Sequence, residues 1–96
     1  MPKFVVEREM PGIGSLSAAD LLGASRQSCA AISKIGPAIQ WVESFITDDK
    51  VYSIFIAPDE LTVREHARKA GLPVNRVSRV RTVADPTIAE AEPIGV

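Results

Sequence analysis

Residues 39–67, IQWVESFITDDKVYSIFIAPDELTVREHA, decide how this chain folds. Two runs rich in β-branched and aromatic residues, 39–47 and 50–57, flank Asp48-Asp49, a pair suited to a two-residue hairpin turn. Such a turn sets Thr47 opposite Lys50 and puts Trp41, Glu43 and Phe45 beside Ile56, Ile54 and Tyr52 on one face. Val42, Ser44 and Ile46 then share the other face with Phe55, Ser53 and Val51. Both faces are mostly apolar, so helices are expected over one and a second sheet over the other. At Pro58-Asp59 the pattern changes to helix. Asp59 caps it, Glu60 lies in its first turn, Arg68 and Lys69 lie in its last, and Gly71 ends it. Val63, His66, Ala67 and Ala70 form the expected inner stripe.

Working outward, residues 3–9 (KFVVERE) read as an opening strand closed by Pro11-Gly12. Alternation gives Phe4, Val6 and Arg8 one face and Lys3, Val5 and Glu7 the other. Ser17 is a cap in Ser-Ala-Ala-Asp, and from there to Ile35 the residues Leu21, Leu22, Ser25, Ser28, Cys29, Ile32 and Ile35 recur at steps of three and four. Gly36-Pro37 stops that helix. After Pro73, residues 74–83 (VNRVSRVRTV) read as an edge strand, with basic side chains around Val77. The domain is expected to span residues 1–86. Residues 87–96 form a Pro-containing acidic tail, a strap or a partly disordered end.

The element order is β-α-β-β-α-β, the ferredoxin-like split pattern of the α+β class, with two helices on one side of a four-stranded antiparallel sheet. Its open face, with Trp41, Phe45, Tyr52 and Ile54, is expected to meet a second copy, giving a homodimeric α/β barrel.

Composition limits the function classes. With 11 Lys and Arg against 12 Asp and Glu, the net charge is −1, which argues against a nucleic-acid or anionic-membrane binder. The basic residues of the second half have no interleaved aromatics for base stacking, so a solvated face explains them better. The single cysteine, Cys29, allows no internal disulfide. The opening Met-Pro-Lys-Phe has no basic region followed by an apolar one, and no run reaches transmembrane length. A cytoplasmic protein is the expectation.

Three side chains are candidate ligands. His66 is the only histidine, and a neutral imidazole is the commonest metal ligand; alternatively it is a helix histidine satisfied by a carbonyl or a water. Cys29 would approach His66 if both helices face the sheet, and a Cys/His pair suits nickel or zinc, or a nucleophile with its base. Otherwise it is a small buried hydrophobe. Glu43 interrupts an apolar strand and needs a cation, a donor or a metal if an interface covers it. Arg8 is its simplest partner, and Tyr52 is placed to bond the same group.

The segments Ile39-Gln40-Trp41-Val42, Thr47-Asp48-Asp49-Lys50-Val51-Tyr52, Ala57-Pro58-Asp59-Glu60, Arg64-Glu65-His66-Ala67 and Gly71-Leu72-Pro73, with Phe4-Val5-Val6-Glu7-Arg8 and Cys29, resemble a family of small bacterial proteins. That family was long grouped as a domain of unknown function, and it includes a nickel-binding ferredoxin-like dimer. The similarity covers residues 2–86. It implies a homodimer that binds a divalent metal, nickel first, with no established catalytic activity. His66 matches the family's Arg-Glu-His-Ala histidine and Cys29 its helix cysteine. Glu43 stands where relatives often carry His, and Ser53 where they often carry Cys. Both departures put a harder or weaker ligand in place of a softer one, so lower nickel affinity is expected.

Besides a structural or accessory dimer whose polar residues merely satisfy one another, two readings follow. In the first the protein holds Ni²⁺ or a similar ion through His66, with Glu43 or Cys29. In the second it is a cofactor-free monooxygenase or isomerase acting on a small molecule in a pocket between helices and sheet. There His66 is the base, Tyr52 or Arg8 orients the substrate, and Ser44 lies nearby.

Overall fold

The computed structural model describes residues 1–36 and 38–90. Four strands, β1 (Lys3–Glu9), β2 (Gln40–Ile46), β3 (Lys50–Ile56) and β4 (Arg76–Arg79), are joined by two helices, α1 (Ala18–Ile35) and α2 (Glu60–Ala70). Short 3₁₀ turns lie at Ile13–Ser15 and Pro86–Glu90. The sheet order is β2-β3-β1-β4 with every neighbouring pair antiparallel. This is an α+β domain compatible with the ferredoxin-like fold. Of the tail, residues 91–96 lie outside the described residues.

The helices start and stop for the local reasons read from the sequence. The Ser17 hydroxyl accepts the Asp20 N–H at 3.1 Å, and the Asp59 carboxylate accepts the Thr62 N–H at 2.8 Å. Each supplies one of the partners that the first helical turn lacks. Gly71 takes the left-handed conformation (φ 70°) that closes α2. The two helices are tied together where the Gln27 side-chain amide donates to the Ala70 carbonyl at 2.9 Å.

Alternation along β1 buries Phe4, Val6 and Arg8 on the helix side and leaves Val5 and Glu7 half-buried on the other. Phe4, Val6, Ile39, Phe55, Ala57 and Val63 make the core, with Ile32, Ile35, Trp41, Val74 and Val77 packed around it. The N-terminal part of α1 is less covered: Leu21 and Leu22 are exposed, as is Ile46 at the end of β2.

The hairpin turn sits where the sequence puts it, with the Thr47 N–H donating to the Lys50 carbonyl at 2.9 Å. Phe45 pairs with Tyr52 and Glu43 with Ile54, as expected. The register then shifts by a bulge between Trp41 and Glu43, and Trp41 pairs with Phe55 instead of Ile56. One extra residue in a period-two strand reverses every side chain beyond it, so Trp41 lies on the helix face and not on the open one. β4 is shorter than the expected 74–83. It pairs only with Phe4 to Glu7, flanked by single bonds from Asn75 and Val80.

Candidate functional site

Two buried ionisable side chains, His66 and Arg8, stand in the layer between helices and sheet. His66, on the inner stripe of α2, has no exposed surface. Its Nε2 lies 3.2 Å from both the hydroxyl and the carbonyl oxygen of Ser28. A carbonyl only accepts, so the fitting tautomer carries the proton on Nε2 and leaves Nδ1 as a bare acceptor. Nδ1 is buried without a partner. The ring tilts against Phe55, with centroids 5.0 Å apart. Burial pushes the imidazole below its ordinary value, the Ser28 contact opposes that, and the nearby Arg8 charge adds to it.

Arg8, from the central strand, is only 2% exposed. Its Nη1 donates to the Pro73 carbonyl at 2.7 Å, while Nη2 is buried with no partner. Burial lowers the guanidinium to about 10, which leaves it cationic at neutral pH. Among the described residues no carboxylate lies within ion-pair distance of it.

A cavity of about 90 Å³ opens beside Arg8, between the first turns of α1 and the β2–β3 hairpin. Its wall is apolar except for Arg8 and a group of hydroxyls. The Trp41 indole N–H donates to Ser44 Oγ at 2.9 Å, and Ser44 Oγ lies 2.7 Å from Ser53 Oγ.

The residues singled out from the sequence are dispersed. His66 is inside the fold, whereas Cys29 is exposed, one helical step of about 100° round from Ser28, which takes the place beside the imidazole. Glu43 is exposed and lies on the open sheet face with Ile54. Arg8 therefore does not pair with it: the sheet separates them. Tyr52 faces the open side as well, whereas Ser44 and Arg8 share the cavity. Among the described residues no three His, Cys, Asp or Glu side chains are gathered in a way that would hold a metal ion. His66 offers one buried nitrogen and no companion among the described residues, so those residues of a single chain do not fit a nickel centre. Ser28 and Ser53 were the residues whose roles the sequence did not give. Ser28 had a signal, a polar side chain in the middle of the inner stripe of α1.

Residues 4–80 match a family model described as nickel responsive protein, SCO4226-like. The chain belongs to this nickel-responsive, SCO4226-like family. Among solved structures, the crystal structure of SCO4226 from Streptomyces coelicolor A3(2) is similar with a TM-score of 0.71. That likeness covers 85% of this chain and 99% of that one at 16% identity, so it supports the shared fold of the SCO4226-like family alone. Comparison with curated proteins gives no match. The family resemblance carried by the quoted motifs is thereby established, and the SCO4226-like name ties the family to a response to nickel. Among the described residues no helix is long and apolar enough to cross a membrane.

Proposed function

We propose that this chain is a small homodimeric binding protein, closed through the helix-free face of its sheet, and that it binds nickel or a similar divalent ion on that face. The observation that carries this reading is the uncovered apolar surface. Phe45 is 54% exposed, and Val5, Tyr52, Ile54 and Ile56 are only half-buried beside it. Both helices lie on the other side. A second copy related by a two-fold axis covers such a surface with itself.

The family's response to nickel supports a metal role. Of the three candidate ligands, Glu43 is the one on the shared face, and a two-fold dimer presents it twice. A carboxylate is a hard ligand, so the affinity is lower than an imidazole or thiolate set would give. His66 is engaged with Ser28 inside the fold and takes no part. The lone thiol suits a cytoplasmic setting, where it stays reduced. Isothermal titration with NiCl₂ tests the metal role: saturable heat in the wild type and in His66→Gln, and none in Glu43→Gln. Unchanged binding by Glu43→Gln contradicts it.

The enzyme reading has a specific observation in its favour, the cavity beside Arg8 and Ser44. It lacks a base. His66 is not among the side chains that line the cavity, and Tyr52 lies across the sheet from it.

A further inference from the structure

We propose that the cavity between α1 and the β2–β3 hairpin binds a small monocarboxylic acid with an apolar body, its carboxylate held by Arg8 Nη2 and the Ser53 hydroxyl. This is independent of the dimer and of any metal.

The inference starts from an unbalanced charge. A guanidinium this deeply buried normally has a carboxylate or several acceptors, because an isolated charge away from water is costly. Arg8 has one carbonyl, on Nη1. Its neighbours on the strand, Glu7 and Glu9, point away from the helix layer, and Glu7 is engaged with Lys50 at 3.1 Å. On the helix side, His66 is near enough for the Arg8 charge to disfavour its protonation, so it offers that charge no counter-ion. Nη2 is left as a buried donor on a residue of the cavity wall.

A second donor is prepared by the hydroxyl chain. An indole N–H only donates, so Ser44 Oγ accepts from Trp41; with Ser44 donating in turn to Ser53 Oγ, one of the two directions that the 2.7 Å contact allows, the chain ends on the Ser53 proton. The Ser53 proton is then free, and bonds in series polarise it further. Ser53 pairs with Val6 and Val51 with Arg8, so Ser53 and Arg8 stand one diagonal apart on the same face of the sheet. Across such a diagonal the long Arg8 side chain and the Ser53 hydroxyl are within reach of one carboxylate.

The rest of the wall sets the class. Leu16, Leu21, Ile46, Val51 and Phe55 line it, with Leu21 and Ile46 exposed at the rim. A dianionic phosphate, with three oxygens to satisfy, finds too few donors there. A volume of about 90 Å³ takes a carboxylate and a few methylenes, with a longer tail leaving between Leu21 and Ile46.

The test is an NMR titration of the wild-type chain with hexanoate, 1-hexanol and inorganic phosphate. Hexanoate is expected to give saturable shifts at residues of the cavity wall, with at least about tenfold tighter binding than 1-hexanol, since the charged hydrogen bond is the difference between them. Phosphate is expected to give none. Arg8→Met should lose the preference for hexanoate over hexanol, and Ser53→Ala should weaken hexanoate binding several-fold. Equal binding of hexanoate and hexanol, preferred binding of phosphate, or no saturation by hexanoate overturns the proposal. The comparison of the two six-carbon probes uses the wild type alone, so it stands apart from the behaviour of either variant.

Discussion

Arg8 shows how far a single position is legible. Alternation along KFVVERE places it on the face of Phe4 and Val6, and there it is, nearly without exposed surface. The choice of Glu43 as its partner failed, because the two strands send those side chains to opposite sides of the sheet. Without a bound anion the buried cation is a net cost, and an apolar side chain of similar length removes it. Arg8→Met is therefore expected to raise the unfolding free energy by about 1 kcal/mol or more, checked by urea denaturation. His66 carries a prediction of the opposite kind. Its folded-state pKa is depressed, so below the ordinary value of 6.5 the unfolded chain takes up a proton that the native state resists. Stability contributed by the neutral ring is complete above pH 6.5 and is lost as pH falls from there. Denaturation curves between pH 7.5 and 5 should show this decline, and His66→Gln should flatten it. Cys29 was misplaced for a simple reason: a stripe of mixed small residues defines a helix face only to within one residue, about 100°.

At the scale of elements, caps and turns were the most legible features, because their causes lie within four residues. Asp59→Ala should cost about 1 kcal/mol, by the loss of the bond to the Thr62 N–H, with thermal melting as the measure. The bulge in β2 was hidden. Nothing in QWVES marks it, and its cause is packing: it turns the Trp41 ring toward Phe55 and the core. Another element-level contact the sequence did not reveal is between the 3₁₀ turn and the hairpin. A Cβ at Gly14 would lie 2.8 Å from the Asp48 Cα and 2.9 Å from the Thr47 carbonyl oxygen. Backbone on both sides has little room to yield, so Gly14→Ala should destabilise the chain by about 1–3 kcal/mol and loosen the hairpin end of the cavity. Amide exchange at Thr47 and Lys50 would record that loosening.

For the whole molecule, the β-α-β-β-α-β order was enough to give a four-stranded antiparallel sheet and to put both helices on one side of it, since few topologies join these elements with short connections. The site was less legible. Proximity in a sheet depends on register and in a helix on rotation, and an error of one residue in either sends a ligand to the wrong surface. Cys29 met that fate, whereas His66 and Glu43 lie on the faces expected of them, with the sheet between them; the donors Arg8 and Ser53 come from strands whose register was simple. What the fold leaves exposed is one apolar sheet face, with Phe45 at its edge and Glu43 within it. Sedimentation equilibrium at micromolar concentration, on the wild type and on Phe45→Glu, is the most direct measurement of what covers it. A wild-type mass of twice the 10.3 kDa chain, with a folded but monomeric Phe45→Glu, is the expected result. A wild type that sediments as a single chain, with Phe45 and Tyr52 in contact with water, would contradict it.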